Sequence, residues 1–109
     1  MDPKLLLLGK DHQKLEDLAK RLEKFTRNIV TETEENNISE LLNNSAVNII
    51  ILDNNISEEE QAIHKDHILS LETPIPFHLI SKNETTAFDD LTSFLEKSLR
   101  EFRQPAVEK

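Results

Sequence analysis

Residues 47–53 read Val-Asn-Ile-Ile-Ile-Leu-Asp, and the fold turns on this stretch. Ile49 to Leu52 are branched, apolar and unbroken by any polar alternation. A short run of that kind suits a strand buried on both faces, as in a parallel sheet, and Asp53 ends it. Residues 4–8, Lys-Leu-Leu-Leu-Leu, form a second such run, closed by Gly9, the single glycine of the chain.

Between and beyond these runs the spacing turns helical. Leu15, Leu18, Leu22 and Phe25 make one apolar stripe over residues 12–25, with Lys14, Glu16, Asp17, Arg21 and Lys24 on the other face. Residues 28–33 read as a shorter, partly polar strand suited to a sheet edge. Asn37, with Glu40 three residues on, predicts a short capped helix to Leu42, stopped by Asn43-Asn44. Ser57 and Glu60 form a second capping box, opening a helix to about Leu71 whose expected stripe is Ile63, His67 and Leu71. A fourth strand is expected over residues 75–80. Pro76 lacks a ladder donor and so places this strand at an edge. Phe88, Leu91, Leu95, Leu99 and Phe102 define a last helix over residues 87–102.

Strands alternating with helices specify a parallel sheet covered on both faces. The expectation is an α/β three-layer sandwich, flavodoxin-like, with four strands in the order 2-1-3-4 and a shortened C-terminal end. Residues 1–103 form one domain and residues 104–109 a polar tail or linker. The pentapeptide Asn-Asn-Ile-Ser-Glu occurs at 36–40 and 54–58, each at a helix entry, which is shared capping chemistry and not a structural repeat.

Composition narrows function. The formal net charge of −8 repels phosphate backbones, so direct binding to nucleic acid is disfavoured. There are no cysteines, which excludes disulfides, thiolate zinc sites and cysteine nucleophiles and agrees with a reducing compartment. The apolar run at Leu5–Leu8 is too short to span a bilayer or to act as a secretory signal, so a cytoplasmic protein without a membrane partner is expected. A lone glycine rules out Gly-rich nucleotide loops, and no Gly-x-Ser-x-Gly occurs. No cofactor is expected, and no metabolic enzyme.

Chemistry in a parallel sheet gathers at the carboxyl ends of its strands. Those ends are Gly9-Lys10-Asp11, Asp53-Asn54 and Ser81-Lys82. In order and spacing they resemble a response-regulator receiver domain. Such domains start with an apolar strand running into adjacent acidic residues, here Leu-Leu-Leu-Leu-Gly-Lys-Asp. Their third strand ends in a phospho-accepting Asp, matched by Ile-Ile-Ile-Leu-Asp with Asp53. Their fourth strand follows Thr-Pro and ends in Thr or Ser, matched by residues 73–81 with Ser81. The likeness spans residues 4–82.

Two departures bear on activity. The family's acidic pair falls on Gly9 and Lys10, leaving only Asp11 just beyond. In that family the pair and the phospho-acceptor hold Mg²⁺, a hard ion that needs several oxygen ligands. After Ser81 there is also no fifth apolar strand to carry the lysine that contacts the phosphoryl group. The resemblance therefore implies a degenerate receiver: a protein-binding signalling domain with Asp53 at the phospho-acceptor position, a degenerate site of Gly9, Lys10, Asp11, Ser81 and Lys82, and no bound metal. Lys10 is expected to pair with Asp53. The alternative is a true phospho-acceptor of a two-component relay using Asp53. His64 and His67, at i and i+3, invite a zinc reading, but without a third ligand nearby the histidines read as surface groups.

Overall fold

A computed structural model describes residues 3–34, 40, 47–71 and 75–103. It contains β1 (Leu5–Leu8), α1 (His12–Leu22), β2 (Ile29–Glu32), β3 (Ile49–Leu52), α2 (Glu58–Leu69), β4 (Phe77–Leu79) and α3 (Glu84–Arg103). The four strands pair in parallel, in the order β2-β1-β3-β4, as the sequence leads one to expect. Leu5 to Leu8 lie opposite Ile29 to Glu32 on one side and Ile49 to Leu52 on the other.

The two central strands are wholly buried because each contributes to both faces. Leu5, Leu7, Ile49 and Ile51 meet Leu15 and Leu22 of α1 and Leu91, Leu95 and Leu99 of α3. Leu6, Leu8, Ile50 and Leu52 meet Val47, Ile56 and Ile68 of α2. One face thus carries α1 and α3, and the other α2, giving three layers. Each fully buried Leu or Ile contributes about 1.5–3 kcal/mol before chain entropy is charged against it. Among the described residues no helix is long and apolar enough to cross a membrane.

Element ends shift for identifiable reasons. Asp11 caps α1 by accepting from the Lys14 amide at 3.2 Å, and the helix stops at Leu22, before the expected Phe25. A tight turn, with the Phe25 amide on the Leu22 carbonyl at 2.9 Å, brings Phe25 onto the core without continuing the helix. Asn83 accepts from the Thr85 amide at 3.0 Å and starts α3 three residues earlier than the apolar stripe indicates. Pro76 lies just before β4 and not within it. Its carbonyl still accepts from the Ile50 amide at 3.0 Å, so the ladder loses nothing there. Apart from Glu40, the expected helix at 37–42, its Asn43-Asn44 stop, Pro74 and the tail at 104–109 lie outside the described residues.

The α2 stripe is a correction. Its buried residues are His64 and Ile68, whereas Ile63 is 53% exposed. Ile56, just before the helix, and Ile68 fill the core on this face with Leu71 packed against them, so of the expected stripe Leu71 reaches the core and Ile63 does not. His64 is accordingly an interior residue, not a surface one. The capping box is half made. Ser57 accepts from the Glu60 amide at 3.3 Å, but the Glu60 carboxylate goes to Lys10.

On β4, His78 points to the α3 side and stacks on Phe94 with ring centroids 5.0 Å apart. Its Nε2 is buried without a hydrogen-bond partner among the described residues. Burial holds its pKa below the ordinary value of about 6.5, with the Asp90 carboxylate pulling partly the other way. Below about pH 6.5 the unfolded chain then binds more protons than the native one, so the stability this group allows is full above that pH and falls as pH drops toward the native value. The urea midpoint should decline between about pH 7.5 and 5.5, and His78→Phe should flatten the decline. An unchanged slope in the variant would assign the pH dependence to other groups.

Candidate functional site

The buried β1–β3 pairing brings the two strands' carboxyl ends together, with the Asp53 amide donating to the Leu8 carbonyl at 2.8 Å. Gly9 and Asp53 are therefore neighbours across the sheet. A side chain at position 9 would put its Cβ 3.0 Å from the Asp53 Cβ, 3.0 Å from Leu15 Cδ2 and 3.3 Å from Asp53 Oδ2. A Cβ here would crowd Asp53 and Leu15, so glycine suits the close approach of the two strand ends, not an unusual backbone angle.

Asp53 is 1% exposed. Its Oδ1 accepts from the Asn54 amide at 2.7 Å and lies 3.3 Å from Lys14 Nζ. The same ammonium donates to Asn54 Oδ1 at 3.1 Å. Asn54 Nδ2 in turn donates to the Ser81 carbonyl at 3.0 Å. A polar chain thus runs from α1 through the end of β3 to the end of β4. Asp53 Oδ2 is buried with no hydrogen-bond partner among the described residues.

Lysine does pair with this carboxylate, but the lysine is Lys14 and not Lys10. The Lys10 amide donates to Asn55 Oδ1 at 3.1 Å, and its ammonium pairs with Glu60 of α2. The backbone leaving β1 turns Lys10 toward the α2 side, while the capped first turn of α1 swings Lys14 back over the sheet end. The cap at Asp11 was the available signal: it sets the helix phase and so puts position 14 in the first turn.

The remaining expected residues divide. Ser81 joins the chain through its carbonyl, and its hydroxyl accepts from the Asn83 amide at 3.1 Å. Lys82 is exposed and lines a shallow hollow with Asn54, Glu58 and Gln61. Asp11 is occupied as the α1 cap. His12 pairs with Glu16 at 2.9 Å on the surface of α1. Among the described residues no three His, Asp or Glu side chains are grouped to share a metal ion.

The donor set does not fit Mg²⁺. Gly9 offers no side-chain oxygen, Lys10 faces Glu60, Asp11 caps a helix, and one Asp53 oxygen is held by Lys14. A single free oxygen falls far short of near-octahedral oxygen coordination. The Lys14 ammonium supplies the positive charge at this carboxylate.

Comparison with known proteins adds no assignment: no family model, no curated protein and no solved structure matches the chain.

Two stability outcomes follow from this geometry. Lys14→Met should cost about 1–2 kcal/mol, less than for a fully buried pair because the lysine is half in solvent. In an Asp53→Asn background the same change should cost almost nothing, and additive costs in the double-mutant cycle would dissolve the pairing. Gly9→Ala should destabilise by about 1–3 kcal/mol through overpacking, partly relieved by Asp53→Ala; both are read from denaturation midpoints.

Proposed function

We propose that this chain is a receiver-type signalling domain of the cytoplasm that works by binding a protein partner and not by metal-dependent aspartyl phosphorylation. The observation that carries the reading is Asp53. It stands at the end of the third strand of a 2-1-3-4 parallel sheet, buried, with a lysine ammonium on its Oδ1. Phosphoryl transfer to such a carboxylate depends on positioning and on neutralising the phosphoryl oxygens while the carboxylate attacks in line. Lys14 neutralises the nucleophile instead, and a carboxylate side chain at position 9 would crowd Asp53 and Leu15. A fixed internal ion pair suits a domain held in one state, whose output is a surface and not a turnover.

One feature favours a second reading, in which Asp53 is a true phospho-acceptor: its Oδ2 carries no hydrogen bond among the described residues. That oxygen is also closed to solvent, so attack on a phosphoryl donor would require the carboxyl edge to open first.

Incubation with acetyl phosphate and Mg²⁺ separates the two. The expected outcome is no added phosphoryl group by intact-mass measurement and no rise in melting temperature with millimolar Mg²⁺, since an ion with real affinity for the native state must stabilise it. Gain of one phosphoryl group, abolished by Asp53→Asn, would replace the first reading with the second.

A further inference from the structure

Between α1 and α3, over the carboxyl ends of β3 and β4, the protein opens a cleft of about 320 Å³. Lys14 and Asp53 stand at its polar end. Ile80, Phe88 and Leu91 supply an apolar wall. Arg21 lines the cleft about 10 Å along α1 from Lys14, with its guanidinium carbon 4.0 Å from the centre of the Phe88 ring.

The charges here are not equivalent. Lys14 is matched by Asp53, and Asp17 accepts from the Gln13 amide group at 3.1 Å. Arg21, among the described residues, has no carboxylate partner. In a chain of net charge −8, a guanidinium without a carboxylate partner among the described residues and seated over an aromatic ring is a candidate anion site. Contact with the ring positions a planar guanidinium, whose fork of N–H donors matches a carboxylate bidentately. A monoanion also suits the strongly acidic domain better than a phosphate dianion. The volume lies at the low end of ligand pockets, so the occupant is small, and the wall asks it to be partly apolar.

We propose that this cleft binds a small monocarboxylate with an apolar body, its carboxylate on Arg21 and its body against Phe88, Ile80 and Leu91. The inference goes beyond the protein-binding reading and stands whether or not Asp53 accepts a phosphoryl group.

The test is an NMR titration of the isotope-labelled protein with 4-phenylbutyrate, beside 4-phenylbutanol and 4-phenylbutylamine, which keep the body and change the head. Saturable shifts are expected at residues 14–21 and 80–91 with the carboxylate. The alcohol and the amine should bind at least about tenfold more weakly, in line with the loss of a charge-assisted pair. Arg21→Gln, an exposed position whose spectrum also reports folding, should weaken the carboxylate by a similar factor and leave the alcohol unchanged. Absence of saturable shifts up to about 10 mM, a hundredfold or more above useful ligand affinities, would overturn the proposal. So would equal binding of acid and alcohol, or an undiminished response in folded Arg21→Gln.

Discussion

The pairing of Leu5–Leu8 with Ile49–Leu52 is the contact on which the remainder of the structure depends. Eight apolar side chains leave water together, four on each face of the sheet. A strand pair that is apolar on both faces cannot stand with one face wet, so helices must cover both. That requirement brings α1 and α3 to one side and α2 to the other. The same register sets Gly9 beside Asp53, because both residues end their strands at the same level.

At that edge a carboxylate is buried, and burying an unpaired charge is costly. The structure offsets the cost with local groups: the next backbone amide, and an ammonium from the first turn of α1. Asn54 binds the same ammonium and the end of β4, so the group that neutralises Asp53 also ties three elements together. The arrangement explains why the loop after β1 can spare Lys10, which instead bridges to α2 through Glu60. Two lysines four residues apart thus serve opposite faces of the sheet.

The weaker parts of the fold follow from the same constraint. Face two is covered by a helix with few apolar residues, where Ile56, Ile68 and Leu71 pack on the core and His64 is drawn inside. Strand β4 is short and outermost. Its inward-facing His78 finds a ring to stack on but, among the described residues, no partner for its Nε2, which makes this edge sensitive to protonation. Arg21 on Phe88 is a comparable surface consequence: α1 and α3 share a face but diverge enough at the carboxyl edge to leave a cleft.

Strand positions, their parallel sense, their order and the α1 and α3 faces were legible along the chain. Unbroken apolar runs and regular helical stripes are strong local signals, and Pro76 with the polar residues of 28–33 marked the edges. Asp53 was legible as well, since a carboxylate after a buried strand must lie at the sheet's carboxyl end. The α2 face was partly misread because Ile63, His67 and Leu71 define no unique stripe, and Ile56, which also fills the core there, precedes the helix. The partner of Asp53 and the close quarters around Gly9 came only with the tertiary structure. Which of two nearby lysines reaches a carboxylate depends on helix phase and on the direction in which the chain leaves the sheet. Whether a Cβ fits depends on a neighbour 44 positions away, and neither distance is encoded in any short stretch of residues.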